Sequence, residues 1–331
     1  MKKTKNTLLT VGVLTAATLG ISRYAYNIAF KAPKRQDFKN YKLPTEEQYV
    51  PHHTTMKRCM DRLIEIPYEE VTISSFDGLK LFGRYYDATP EPNITDTSAN
   101  NAGTDRTHAP IPVHILFHGY KSNPYMDGCG GSGLVAELGH RFIVVDQRSH
   151  GQSEGNTITF GINERRDCLT WANYCAGRFG SDTPIILWGL SMGAATVLMA
   201  SDMSLPANVK GIIADSPFSA PADIIKKVCK DMHYPPTLLY PFVKLGAKLY
   251  GHFDLEECTA YQALQNTKTP TLIFHGEDDR FVPHEMSVTL SKLSPLITFV
   301  SIPKAGHGLC YMTEAQVYHD AAVEFIKAVL Q

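Results

Sequence analysis

Two pentapeptides of the form Gly-x-Ser-x-Gly occur in the chain, Gly189-Leu190-Ser191-Met192-Gly193 and Gly151-Gln152-Ser153-Glu154-Gly155. A serine with glycines two positions before and after it fits a sharp turn in which a strand folds back into a helix and leaves Oγ projecting at the carboxyl end of a sheet. Only the first pentapeptide has that context: the apolar run 184–188 precedes it and a small-residue helical stretch follows from Ala194. The strand candidate nearest Ser153, 142–146, ends too early, and the polar NTITF that follows starts no such helix. Ser191 is therefore the candidate nucleophile. A serine hydroxyl needs a base at neutral pH, and His307 stands between Gly306 and Gly308 in the loop after the last strand candidate. That base needs a carboxylate to fix its tautomer and stabilise the imidazolium, and Asp279 lies in the loop after the preceding strand.

These residues need a sheet whose carboxyl ends gather loops. From Ile111 onward, apolar runs at 112–117, 142–146, 185–188, 209–214, 271–274 and 297–302 alternate with helical patterns at about 131–139, 162–179, 192–202, 284–293 and 314–330. That rhythm predicts a mainly parallel sheet flanked by helices. Ahead of it, VTISS and LKLFGRYYD flank Asp77-Gly78 and read as a hairpin. Residues 88–110, rich in Thr, Asn, Pro, Asp and Gly, read as a disordered surface excursion without chemistry. Residues 217–268 are too long for a simple connection, and the apolar stripe in TLLYPFVKLGAKLYGHF predicts a helical cap over the carboxyl edge. The domain reading is a membrane anchor or signal-like segment at 1–30, a linker with a short helix near 56–64 at 31–69, and a catalytic domain at 70–331.

With 331 residues and a net charge of −1, the chain can bury one large core and offers no long basic run to nucleic acid. The histidines show no metal spacing, and the adjacent His52 and His53 read as solvated linker residues. The seven scattered cysteines form no CxxC pair and read as free thiols in a reducing environment. Cys310, three residues after His307, is expected to be packed rather than reactive. Lys2, Lys3 and Lys5 precede an apolar stretch over 8–30, long enough as a helix to cross a bilayer if Arg23 sits near an interface. The expectation is a single-pass anchor in the cell membrane, with a cleaved signal peptide and secretion as the alternative; flanking charges leave the side of the membrane open.

Five stretches together resemble the α/β-hydrolase superfamily, close to bacterial esterases and prolyl-oligopeptidase-like catalytic domains, over about residues 70–330. HGY at 118–120 resembles its oxyanion loop, DQRSHGQS at 146–153 its Asp-x-Arg-x-His-Gly-x-Ser loop, and GLSMG its nucleophile elbow. HGEDDRFVP matches His-Gly-x-x-Asp-x-x-Val-Pro, which selects Asp279 over Asp278, and AGHG supplies His307. The resemblance implies the α/β-hydrolase fold with a small helical cap, and a Ser191, Asp279, His307 triad. It also implies an oxyanion hole from the backbone N–H groups of Tyr120 and Met192, with no metal or organic cofactor. The Tyr120 side chain is expected to line the acyl pocket rather than to point at the oxyanion. Asp215, where some members of the superfamily place the triad acid, is read as fixing a loop; Asp146, Arg148 and His150 are read as structural.

The expected activity is hydrolysis of an ester or related acyl bond through an acyl-enzyme, on a small-molecule or lipid-like acyl substrate. A serine peptidase and an acyltransferase are the alternatives on the same fold.

Overall fold

A computed structural model describes residues 2–33, 42–87 and 110–331. The expected excursion at 88–110 thus lies outside the described residues, except for Pro110, as do the linker residues 34–41. Eight strands, β1 (Glu69–Ser74), β2 (Lys80–Tyr86), β3 (Val113–Phe117), β4 (Arg141–Asp146), β5 (Ile185–Leu190), β6 (Val209–Asp215), β7 (Thr271–Gly276) and β8 (Ile297–Ile302), form one sheet in the order β1-β2-β4-β3-β5-β6-β7-β8. β2 pairs antiparallel with β1 and β4, and every other pairing is parallel.

The central strands are apolar at consecutive positions because helices cover both faces. Ile115, Ile143, Val145, Ile185 and Leu187 pack on one face with α4 (Glu164–Phe179) and α5 (Met192–Ala200). Leu116, Val144, Ile186 and Trp188 pack on the other with α2 (His53–Glu65), α3 (Pro124–Glu137) and α9 (Ala315–Leu330). This period-two alternation fixes the strand register.

α3 begins at Pro124, seven residues before the sequence pattern places it. Gly128, Gly130, Gly131 and Gly133 hide its amphipathic stripe, yet the start is well specified, because Asn123 Oδ1 accepts from the N–H groups of Tyr125 (3.1 Å) and Met126 (3.0 Å) and Pro124 takes the first position. The missing side chains allow close approach: a Cβ on Gly131 would lie 3.1 Å from the Trp188 ring and one on Gly130 3.1 Å from the Tyr311 ring.

The 217–268 insertion folds into α6 (Pro221–Asp231), α7 (Pro236–Gly246), a π-helical turn at Ala247–Gly251 and α8 (Ala260–Asn266). α8 packs on α5, and α7 packs on α6 and on α1 (Lys2–Ala29).

The expected membrane anchor is not supported. Among the described residues no helix is long and apolar enough to cross a membrane. Residues 8–30 do lie largely in α1, but Ser22, Arg23, Tyr24, Tyr26 and Asn27 break the apolar run. Ser22, Ala25, Tyr26 and Phe30 are buried against the protein itself.

Behind the site, the 146–153 loop is pinned by two buried ion pairs and one that reaches the half-exposed Asp77. Arg84 Nη1 lies 2.9 Å from Asp146 Oδ1, and Arg148 reaches Asp167 (2.6 Å) and Asp77 (2.9 Å). Arg84→Met would leave the Asp146 carboxylate buried without its counter-charge and is expected to cost about 3–5 kcal/mol. The Arg84→Met, Asp146→Leu double variant, which removes both charges, should recover much of that loss. Denaturant midpoints of the two variants check this: if the double variant is as unstable as the single one, the pair is not what sets the cost.

Candidate active site

The turn between β5 and α5 holds Ser191 at φ 56°, ψ −114°, a conformation that costs a non-glycine residue on the order of 1–3 kcal/mol and persists only where neighbours enforce it. They do. A Cβ on Gly189 would lie 2.2 Å from the Gly193 backbone, and one on Gly193 would lie 2.0 Å from the Phe117 carbonyl oxygen, so the strand, the helix and the loop after β3 close together only with glycine at both positions. The Ser191 N–H donates to the Asp215 carbonyl (2.8 Å) at the end of β6.

Ser191, His307 and Asp279 meet in one hydrogen-bonded chain. His307 Nε2 lies 2.9 Å from Ser191 Oγ and His307 Nδ1 lies 2.7 Å from Asp279 Oδ2. A carboxylate can only accept, so Nδ1 carries the proton and Nε2 is left to accept from the serine hydroxyl. Asp279 Oδ1 accepts from the N–H groups of Phe281 (2.9 Å) and Val282 (2.8 Å), which orients the carboxylate. The His275 ring, held by Ser287 and the Val282 carbonyl, lies 3.2 Å from Asp279 Oδ2. Burial alone would raise the Asp279 carboxyl, but His307 and His275 outweigh it and hold the group well below the usual carboxylate range.

Asp215 does not reach His307 by a hydrogen bond. Its carboxylate accepts from Ser216 Oγ (2.9 Å), and Ser216 Oγ in turn accepts from Gly308 N–H (3.4 Å), an arrangement that ties down the loop bearing His307. Cys310 is fully buried, and burial beside Asp215 pushes its thiol far up, which suits a packed thiol rather than a thiolate nucleophile. Ser153 is also tied: its Oγ donates to the Asp146 carbonyl and accepts from Phe82 N–H (2.8 Å).

The loop after β3 is held residue by residue. Asp127 Oδ2 accepts from Gly119 N–H (2.6 Å), and His150 Nε2 accepts from Lys121 N–H (3.1 Å). The Gln147 amide donates to the His118 carbonyl, and His118 Nε2 accepts from Gln147 N–H (3.1 Å). These acceptor roles require neutral rings, and burial lowers both His118 and His150. Among the described residues the intervening N–H of Tyr120 donates to nothing, and neither does that of Met192 at the start of α5. A Cβ on Gly119 would lie 3.2 Å from Ser191 Cβ, so this loop lies beside the serine.

Several residues around the site carried no signal of their own in the sequence. Asp127, raised to about 6 by burial against the pull of Gly119 N–H and the Ser122 hydroxyl, was hidden in the glycine-rich start of α3. A cavity of about 970 Å³ opens at Ser191 and His307. Gln48, Tyr49 and Met56, from the segment read as linker, line it together with Met126, Tyr311 and Met312. Tyr49 O–H donates to the His307 carbonyl (3.0 Å), and a Cβ on Gly306 would lie 2.3 Å from Gln48 Oε1. No residue of 217–268 lines this cavity. Among the described residues no group of three or more His, Cys, Asp or Glu side chains is placed to hold a metal ion.

An eight-stranded, mostly parallel sheet flanked by helices, with a serine on a strained strand-to-helix turn at its carboxyl edge, is the α/β-hydrolase fold. The chain belongs to the alpha/beta hydrolase family, whose model matches residues 115–321. Protein YqkD of Bacillus subtilis (strain 168) is 24% identical over 215 residues, 64% of this chain and 70% of its own length. Lysophosphatidylserine lipase ABHD12 of Danio rerio is 26% identical over 172 residues, 49% of this chain and 41% of its own, so the chain spans about two fifths of that relative. Among solved structures, the Pyrococcus furiosus esterase Pf2001 superposes with a TM-score of 0.63 at 20% identity, covering 91% of this chain and 99% of that one. Est1E from Butyrivibrio proteoclasticus, bound to ferulic acid, gives 0.56 at 20% identity, covering 78% and 99%.

Proposed function

We propose that this hydrolase cleaves carboxylic ester or related acyl bonds through an acyl-enzyme on Ser191. The observation that carries the reading is the unbroken Ser191–His307–Asp279 chain on a strained turn. Ser191 Oγ attacks the acyl carbon while His307 Nε2 takes its proton. Asp279 stabilises the imidazolium, and the oxyanion is met by the N–H groups of Tyr120 and Met192, which have no other acceptor among the described residues. Such main-chain donors are worth about 100- to 1,000-fold each. His307 then protonates the leaving alcohol, and a water activated by the same ring releases the acid and restores Ser191. A fluorophosphonate probe tests this: it should label Ser191 with one equivalent per chain, and an unlabelled, correctly folded protein would sink the reading.

The substrate reading is an ester with an extended apolar acyl group. Met56, Met126, Tyr311 and Met312 give the cavity a flexible apolar wall that adapts to a chain better than to a rigid ring. The lysophosphatidylserine lipase relatives, by name, act on lysophosphatidylserine. Filling this wall with Met126→Trp should lower kcat/KM for an octanoyl ester about 10-fold or more while leaving an acetyl ester within about twofold. Equal losses on both esters would place the acyl group elsewhere.

A further inference from the structure

The side chains of the two residues that follow Gly119 leave the catalytic sheet and close on the end of α1. Tyr120 O–H donates to the Ala29 carbonyl (2.8 Å), and Lys121 Nζ donates to the Ile28 carbonyl (3.0 Å). Carbonyls in the last turn of a helix have no partner within it and carry the negative end of its dipole, so a hydroxyl and an ammonium are the groups that suit them. Lys121 also has φ 52°, which turns the chain back immediately after Tyr120 and needs contacts from outside the loop to persist.

The helix end that receives these bonds is itself fixed. Phe30 is fully buried and meets the Phe160 and Phe253 rings edge-on at 5.7 and 5.2 Å. Phe160 also lies 5.0 Å from the Tyr120 ring. The main chain beyond α1 pairs with residues 156–158 through Ala32 N–H to the Asn156 carbonyl (2.9 Å) and Ile158 N–H to the Phe30 carbonyl (2.7 Å). Further back, a Cβ on Gly246 of α7 would lie 2.4 Å from the Ser22 carbonyl oxygen, so α1 and α7 cross with their backbones nearly touching.

We infer that the carboxyl end of α1 is a positioning element of the oxyanion hole, with the Tyr120 hydroxyl and the Lys121 ammonium as the two positioning groups that set the direction of the Tyr120 N–H. The inference rests on the proposed role of that N–H. From the sheet side, Asp127 and His150 hold the amides on either side of Tyr120, and the Gly119 carbonyl of the Tyr120 peptide accepts from His118 Nδ1 (2.8 Å) and from Ser122 N–H (3.3 Å). The helix end adds a constraint on the other side of that peptide, through the Tyr120 and Lys121 side chains, and a donor a fraction of an ångström off line contributes little to an oxyanion. This also explains why the Tyr120 hydroxyl does not serve the oxyanion itself, since it is committed to Ala29.

The test compares the full chain with Tyr120→Phe, Lys121→Met, their combination, and Gly246→Val, a substitution on α7 outside the site that wedges α1 away. Active sites are counted by fluorophosphonate labelling carried to completion, so every rate refers to titrated sites. The double variant is expected to lose about 10- to 100-fold in kcat with KM within about threefold, because the oxyanion forms only after binding. Gly246→Val should lose kcat in the same direction. Affinity for an acyl trifluoromethyl ketone, which adds Ser191 to give an oxyanion, should fall in proportion to kcat/KM across the series. If Gly246→Val does not fold by thermal melting, the Tyr120→Phe, Lys121→Met pair decides. An unchanged kcat per titrated site in that pair, or ketone affinities that do not follow kcat/KM, overturns the inference and leaves the hydrolase reading standing. Absence of fluorophosphonate labelling in the folded, unsubstituted chain sinks the acyl-enzyme reading, and the inference with it.

Discussion

Replacing Ser191 by alanine is expected to lower kcat by about 100,000-fold to a million-fold, with the fold intact. Alanine keeps the Cβ that the elbow already accommodates, and the packing of Gly189 and Gly193 that enforces φ 56° does not involve the hydroxyl. What disappears is the atom that lies 2.9 Å from His307 Nε2. On the proposed mechanism, the residual rate reports the Tyr120 and Met192 N–H groups acting on a water-attacked ester. Ser153→Ala is the matched control, since it breaks a buried bond to Asp146 and one from Phe82. It should therefore cost about 1–3 kcal/mol of stability while leaving kcat largely unchanged. Ester turnover and fluorophosphonate labelling of both variants check the pair. Retained turnover in Ser191→Ala would remove this serine from the chemistry.

Asp279→Asn should lower kcat about 10,000-fold, although the substitution is almost isosteric. Asp279 Oδ2 faces two rings, His307 at 2.7 Å and His275 at 3.2 Å, while Oδ1 faces two backbone N–H groups. The backbone donors keep the amide oxygen of an asparagine on their side, which turns its NH₂ toward both histidines. His307 Nδ1 then becomes an acceptor, its proton moves to Nε2, and the base presents a donor to Ser191. The variant should regain activity as pH rises far enough for hydroxide to assist, so its pH–rate profile stays on an upward slope where the parent reaches a plateau. A loss under 10-fold would mean that another carboxylate serves, and Asp215 is the one to substitute next.

The residues of this site were readable in the sequence where local geometry and chemistry coincide. GLSMG is flanked by an apolar strand and a small-residue helix, so the turn and its serine are specified within a few positions. Asp279 and His307 follow strands of the same sheet, and the carboxyl edge of a parallel sheet brings such loops together whatever their distance in the chain. Where function depends on a surface that is neither periodic nor local, the sequence is silent. Gln48 and Tyr49 stand in a stretch with no apolar period, and their contacts with Gly306 and the His307 carbonyl come from the far end of the chain. The start of α3 was lost for the opposite reason: its glycines erase the helical stripe because the sheet needs their missing side chains. α1 read as a membrane span because its length and its first apolar turns fit one. Its contacts with α7 depend on Gly246 in a helix more than two hundred residues later, which no pattern within 8–30 can announce.

The Tyr49 bond to the His307 carbonyl joins positions 258 apart. Ribosomes deliver the chain in order, so Gln48 and Tyr49 are made early and meet Gly306 and the His307 carbonyl only once the loop after β8 emerges. A nascent chain halted at the start of β8 carries the serine and the carboxylate but lacks both the histidine and the carbonyl that seats Tyr49. On the proposed mechanism, acyl-bond chemistry therefore waits for the loop after β8, and ester turnover would report chains in which that loop has been made and has docked on Tyr49.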